Sequence, residues 1–251
     1  MSMQTDRVIA VRTNKTVYRR GDTVAKVFNQ DFSKTDILNE ALNQARVEET
    51  GLNIPKVLEV TKSDGKWAIV SEWIPGKTLQ QLMAENPDKA DGYLDRFVRL
   101  QMEIHAKRCP MLNRLTEKLR GRISISSFDA TTRYDLLTRL DGLEARSDVC
   151  HGDFNPSNIL ITPDGDAYVI DWAHVTQGNA AADAARTYLL FWMDGKIDTA
   201  EKYLDLFCRL SGTEKPYVQN WIPIVAASRS VGCRPEELEF LRHWVDVVDY
   251  E

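Results

Sequence analysis

No apolar run in the 251-residue sequence approaches the roughly 20 residues that a membrane-crossing helix requires. Basic charge is not in excess either: 32 Lys and Arg against 37 Asp and Glu leave a formal net charge of -5. Nucleic-acid binders normally carry a basic excess or patch, so neither nucleic acid nor membrane is expected as a partner. The mild acidity would not repel a cationic small molecule. Cysteine is scarce. Cys109, Cys150, Cys208 and Cys233 stand far apart, with no C-x-x-C pair and no neighbouring histidine cluster. That spacing excludes the common zinc frameworks and fits reduced, mostly buried thiols. Residues Met1 to Asp6 show no basic-then-apolar pattern, so the sequence predicts a cytoplasmic rather than an exported chain. Internal repeats, low-complexity stretches and long linkers are absent as well.

Length and composition are those of a globular protein with one large or two modest cores. In the N-terminal third, Arg7 to Arg12, Thr16 to Arg20 and Thr23 to Phe28 are short β-branched or apolar runs. Asn14-Lys15 and Gly21-Asp22 separate them as turns, which predicts a three-strand antiparallel meander. A helix is expected from about Ser33 to Thr50, capped by Ser33 and stopped by Gly51, with Ile37, Leu38, Ala41, Leu42 and Ala45 on its apolar face. Two more strands, Lys56 to Thr61 and Trp67 to Trp73, flank the Ser63-Asp64-Gly65 turn. The second strand stops at Pro75-Gly76. Beyond that break, Tyr93 to His105, Thr132 to Leu143 and Asp198 to Leu210 carry apolar residues at helical spacing.

The most specific feature is His151-Gly152-Asp153-Phe154-Asn155-Pro156-Ser157-Asn158, followed by Val169-Ile170-Asp171-Trp172. Asn158 to Ile161 and the run ending at Asp171 flank a Pro163-Asp164-Gly165-Asp166 turn and read as a β-hairpin. A hairpin would set Asn158 and Asp171 side by side at its open end, where one cation can bridge them. A carboxylate, an amide and a second carboxylate at Asp153, Asn158 and Asp171 are the side chains that kinase-type phosphoryl transfer needs. One takes the proton of an attacking hydroxyl, and the other two hold Mg²⁺ against nucleotide phosphates.

The pattern departs from the protein-kinase loop H-R-D and turn D-F-G, because Gly152 replaces the Arg and Trp172 follows Asp171. It resembles instead the aminoglycoside phosphotransferase and choline kinase family, whose loop reads H-G-D-x-x-x-x-N with I-D-W or I-D-F after it. The resemblance runs from Lys26 to the helix after Asp183. It implies an α+β, bilobal protein-kinase-like fold, with an N-terminal antiparallel sheet and one helix over residues 1–75 and a mostly helical part over 76–251. It also implies a phosphotransferase that uses Mg²⁺ and ATP or GTP to phosphorylate a hydroxyl of a small molecule, with Asp153 as base and Asn158 and Asp171 as metal ligands. Monomer and dimer are equally admissible.

Within that resemblance, Lys26 in Val24-Ala25-Lys26-Val27-Phe28 matches the strand lysine that holds the α- and β-phosphates. A glutamate on the following helix should pair with it. Glu40, Glu48 and Glu49 compete, and helix phase together with the family's layout favours Glu40. The backbone of Glu72 and Ile74, at the break where the family's lobes join, would read the adenine edge. The first turn, Arg12-Thr13-Asn14-Lys15-Thr16, has no glycine, so Thr13 or Thr16 is the candidate for phosphate contact. Asn155 stands where protein kinases place a Lys. His151 is expected to shape the loop and Asp183 to brace it from a helix start. For the acceptor, the helices from Lys196 onward are implied, with Trp221, Arg229, Glu236, Glu237, Asp246, Asp249 and Glu251 eligible. Carboxylates there would suit a cationic aminoglycoside or amino alcohol, although a solvated helix face gives the same pattern. The glycine-free loop leaves a second reading open, a catalytically silent, kinase-shaped nucleotide-binding regulatory protein.

Overall fold

The computed structural model describes residues 7–12 and 14–245, so Thr13 and the acidic tail with Asp246, Asp249 and Glu251 lie outside the described residues. The chain runs β1 (Arg7–Val11), β2 (Lys15–Arg20), β3 (Thr23–Phe28), α1 (Lys34–Glu48), β4 (Val57–Ser63), β5 (Lys66–Glu72), β6 (Lys77–Thr78) and α2 (Leu79–Glu85). It continues with α3 (Ala90–His105), α4 (Leu115–Ser124), α5 (Ala130–Gly142), β7 (Asp148–Cys150), β8 (Ile159–Ile161), β9 (Ala167–Val169) and β10 (Thr176–Gly178). It ends with α6 (Ala180–Met193), α7 (Ile197–Ser211), α8 (Lys215–Gln219), α9 (Ile222–Ser230) and α10 (Pro235–Val245). The architecture is mixed α+β. Among the described residues no helix is long and apolar enough to cross a membrane.

Packing divides the chain into two compact units, and it does so differently from a cut after residue 75. One unit takes residues up to Glu85 together with Pro156–His174; the other takes Asn86–Asn155 and Val175 onward. The β8–β9 hairpin joins the first unit because β6 pairs with β8, Lys77 opposite Ile161 and Thr78 opposite Leu160.

In the first unit, five antiparallel strands are ordered β1-β2-β3-β5-β4. Strand alternation sends Phe28 and Ile69 to one face, where they meet Ile37 and Ala41 of α1. Ala25, Val27 and Ala68 form a second cluster with Tyr18 and Val70. Helix α1 starts as its sequence predicts: the Ser33 hydroxyl oxygen accepts the Asp36 amide at 3.0 Å. Its buried face differs from the expected one. Leu38 and Leu42 are 43% and 48% exposed, while Ile37, Glu40, Ala41, Asn43, Gln44 and Val47 are buried. Polar residues can occupy this face where partners meet them. Gln44 donates to the Pro55 carbonyl at 2.6 Å, and Glu40 meets Lys26. Burying Ile37 and Val47 contributes about 1.5–3 kcal/mol each, which offsets part of the cost of the polar side chains.

The hairpin is short. β8 and β9 pair with Ile159 opposite Val169, and the turn closes through the Thr162 amide on the Asp166 carbonyl at 2.9 Å. The Val169 amide also donates to the Asn53 carbonyl at 3.0 Å, tying the hairpin to the segment after α1.

In the second unit, α3, α6 and α7 surround an aromatic core. Phe97 lies 4.5 Å from Phe154 between ring centroids, and Phe191 and Tyr203 complete the group. α6 is capped by Asn179, whose side-chain oxygen accepts the Ala181 amide at 2.9 Å. Asp183 therefore sits in the first turn without being the cap.

Gly76 is required by close approach. A Cβ there would lie 2.2 Å from the Ile161 carbonyl oxygen, on backbone that cannot swing aside. We predict that Gly76→Ala costs about 1–3 kcal/mol or more, read as a lower thermal midpoint with the transition still cooperative. An unchanged midpoint would show that β6 and β8 can separate freely.

Candidate active site

In the first unit the site is built around Asp171. The Ile170 amide donates to the Asn158 carbonyl at 2.9 Å, which sets Asn158 and Asp171 next to each other at the open end of the hairpin. Asp171 adopts a left-handed backbone, φ 68°, a conformation that costs a non-glycine residue free energy and persists only where its surroundings impose it. Trp172 supplies that constraint. It is fully buried, its indole N–H donates to the Val169 carbonyl at 3.0 Å, and its turn packs against α1.

Lys26 links sheet, helix and hairpin. Its Nζ forms an ion pair with Glu40 of α1 and lies 3.2 Å from Asp171 Oδ1. Of the three competing glutamates, Glu40 is the one that meets Lys26; Glu48 instead accepts the Val57 amide at 2.7 Å. The sequence reading missed Lys15, which it treated as a turn residue. Its Nζ lies 3.2 Å from Asp171 Oδ2, so two ammonium groups converge on one carboxylate. Burial opposes charge on both Lys26 and Asp171, yet the ion pairs prevail. Asp171 and Glu40 hold the Lys26 ammonium above its usual value, and Lys26 with Lys15 holds the Asp171 carboxyl well below the carboxylate range.

The glycine-free turn is closed by the Arg12 amide on the Lys15 carbonyl at 2.8 Å. Thr16 lies in β2 opposite Val27 of β3. At the strand break, the Glu72 amide donates to the Lys56 carbonyl at 3.0 Å and the Trp73 amide to the Asp22 carbonyl at 2.9 Å. Ile74 is buried. Among the described residues no group of three or more His, Cys, Asp or Glu forms a protein-only metal cage.

In the second unit, Asp153 sits on a loop held from below by Asp183. This buried carboxylate accepts the backbone amides of Gly152 at 2.7 Å and His151 at 3.2 Å. His105 Nε2 donates to it at 3.0 Å, and Gln101 Nε2 lies 3.4 Å away. Burial alone would raise the Asp183 carboxyl, but these donors, His105 foremost, hold it below its usual value. His105 had carried no clear sequence signal; its helical position opposite α6 is visible only in the fold. His151 accepts the Asp153 amide on Nδ1 at 3.2 Å, so it shapes the loop through the backbone. Asn155 folds back, its Nδ2 3.0 Å from the Asp153 carbonyl and 3.5 Å from Oδ2.

Cations also gather in this unit. Arg186 of α6 donates from Nε to the Gly152 carbonyl at 2.6 Å. Burial lowers its guanidinium to about 10; Asp153 opposes that shift, and Arg229 and Arg122 add to it. Burial, then Arg186 and Arg122, pushes the Lys118 ammonium down to about 8. Two eligible acceptor residues are committed elsewhere: Trp221 is fully buried, and Glu237 pairs with Arg229 and Arg234 at 2.8 Å each. His174 is exposed.

Removing the Asp183 carboxylate should unseat the loop. Asp183→Ala is predicted to cost about 3–5 kcal/mol at pH 7, measured by denaturant unfolding. Because the folded carboxyl titrates below the unfolded value of about 3.9, its contribution is present above that pH and lost as pH falls through the folded value. The gap between wild type and variant should therefore narrow on acidification. A gap that stays constant down to pH 3 would contradict the assignment.

Known proteins share this chain's family model and its fold. Residues 6–217 match the model of the phosphotransferase enzyme family. No curated protein matches the chain by sequence. Among solved structures, the fold is similar to a thermostable mutant of aminoglycoside phosphotransferase APH(4)-Ia in ternary complex with AMP-PNP and hygromycin B. That match has TM-score 0.73 and 16% identity, over 98% of this chain and 93% of the other. It is also similar to the aminoglycoside-3'-phosphotransferase of type VIII, at TM-score 0.62 and 17% identity over 89% and 93% of the two chains. Choline kinase LicA from Streptococcus pneumoniae gives TM-score 0.58 and 14% identity over 97% and 94%. With the family model spanning most of its length, the chain belongs to the phosphotransferase enzyme family.

Proposed function

We propose that the protein transfers the γ-phosphoryl group of ATP or GTP to a hydroxyl of a small molecule. The observation that carries this reading is the Lys26–Glu40–Asp171 network beside Asn158, since it gathers phosphate-binding and metal-binding chemistry on one sheet and one hairpin. The nucleotide-bound relatives with the same fold support it.

In this reading Lys26 grips the α- and β-phosphates, fixed in place by Glu40. Asn158 and Asp171 fit Mg²⁺ by donor chemistry: one amide oxygen and one carboxylate, with phosphate oxygens completing the shell, is the usual way a protein holds that ion. When bound, the metal neutralises charge on the β- and γ-phosphates. Lys15 takes the place of the missing glycine loop as a second cation for the phosphates, alongside Thr16. The backbone at Glu72 and Ile74 meets the base. Asp153, with Asn155 Nδ2 beside its carboxylate and its backbone N–H donating to His151 Nδ1, takes the acceptor's proton. The silent regulatory reading is disfavoured because Lys26, Asp153, Asn158 and Asp171 are all present and the first-turn departure is answered by Lys15.

The test is nucleotide consumption with MgATP and MgGTP across sugars, amino alcohols, aminoglycosides and nucleosides. Acceptor-dependent ADP or GDP release is expected. Asp153→Ala should lower kcat about 10²–10⁴-fold with nucleotide affinity within about twofold of wild type. Near-wild-type turnover in that variant would remove Asp153 from the base role. Separately, Lys15→Gln should weaken MgATP binding about tenfold, as loss of one charge-assisted contact does. Unchanged affinity would leave the phosphates to Lys26 and the backbone.

A further inference from the structure

Both oxygens of the Asp171 carboxylate face an ammonium. Lys26 Nζ lies 3.2 Å from Oδ1, and Lys15 Nζ lies 3.2 Å from Oδ2 and 3.4 Å from Oδ1. The Asp171 side chain is 28% exposed and those of Lys15 and Lys26 are 16% and 18%, so water screens the cluster only in part.

The two lysines are held differently. Lys26 stands in the middle strand of the sheet, opposite Val17 of β2 on one side and Ile69 of β5 on the other. Its ammonium is also paired with Glu40, a buried carboxylate of α1. Lys15 Nζ, among the described residues, meets Asp171 alone. The backbone of Lys15 is fixed at the start of β2, opposite Phe28, with its carbonyl accepting the Arg12 amide at 2.8 Å. Its ammonium ends a flexible four-carbon stem and can swing without moving that backbone.

Resting on the phosphotransferase reading above, we propose that Lys15 determines how Asp171 accepts a divalent cation. Its ammonium holds Oδ2 against the free ion and yields that oxygen only when nucleotide phosphates offer it another anion. A dication approaching a carboxylate that already holds two ammonium groups is repelled by both. Lys26 stays because Glu40 keeps it, so relief has to come from Lys15. With phosphates present the exchange conserves charge pairing: Asp171 trades an ammonium for the metal, and Lys15 trades Asp171 for phosphate oxygens. The metal therefore enters with the nucleotide rather than ahead of it. A neutral residue at position 15 would leave Oδ2 open to the free ion.

The experiment uses the full chain and begins with a metal alone. Mn²⁺ stands in for Mg²⁺, because the free ion can be counted by electron paramagnetic resonance as protein is titrated in. Without nucleotide, Lys15→Gln should bind Mn²⁺ about tenfold or more tightly than wild type, the change expected when one competing charge-assisted contact is removed. Lys15→Arg keeps the charge and should bind Mn²⁺ as weakly as wild type. Asp171→Asn removes the carboxylate for which metal and lysine compete, and Asn tolerates the left-handed backbone at that position. In that background Lys15→Gln should bring no gain. With nucleotide the sign reverses: calorimetry should show MnAMP-PNP binding Lys15→Gln about tenfold more weakly than wild type. A general loosening of the fold would weaken both affinities, so opposite signs separate the exchange from a structural role. Equal Mn²⁺ affinity in wild type and Lys15→Gln, including no detectable binding to either, would overturn the proposal. A gain of the same size in the Asp171→Asn background would also overturn it, by making Lys15 a remote source of positive field. So would unchanged MnAMP-PNP affinity in Lys15→Gln. Failure of the wild type to bind MnAMP-PNP at all would instead count against the phosphotransferase reading itself.

Discussion

Charge withdrawn from water has to be answered by opposite charge or by donors, and that constraint shapes the candidate residues of each unit. In the second unit it falls on Asp183, which is nearly sealed from solvent and receives two loop amides and His105. Because those amides belong to His151 and Gly152, satisfying the carboxylate fixes the backbone that presents Asp153. In the first unit it falls on Lys26, Glu40, Lys15 and Asp171. There the ion pairs join strand, helix and hairpin, so that the positions of three elements are set by one cluster. Trp172 and the left-handed Asp171 backbone complete the constraint from the apolar side.

Much of this was legible in the sequence, for identifiable reasons. The hairpin could be read because a turn signal separates two short apolar runs, and the functional residues lie at its ends, where register leaves little freedom. Lys26 could be read because alternation in a strand places it opposite Ala25 and Val27. Glu40 followed from helix phase together with the family's layout, although phase misplaced part of the apolar face. Leu38 and Leu42 are outside and Asn43 and Gln44 inside, because tertiary partners overrode the hydrophobic pattern.

What was not legible was whatever depends on side chains meeting across distant sequence. Lys15 looks like a turn residue until β2 is paired with β3, and only then does its Nζ reach Asp171. His105 lies at the end of an ordinary amphipathic helix, and its pairing with Asp183 is a consequence of α3 and α6 both packing on β7. Arg122 is spaced like a surface cation, and only when α4 packs on α9 does it reach the Ser228 and Val231 carbonyls.

The most direct test of the account is to follow the γ-phosphoryl group itself. MgATP labelled at the γ-position would be incubated with the protein and the mixed acceptor panel, and the products separated by charge and checked for acid stability. The account predicts label in an acid-stable phosphate ester that forms only when protein and acceptor are both present. Label that stays in bound ATP, or appears only as inorganic phosphate whatever acceptor is supplied, would contradict it.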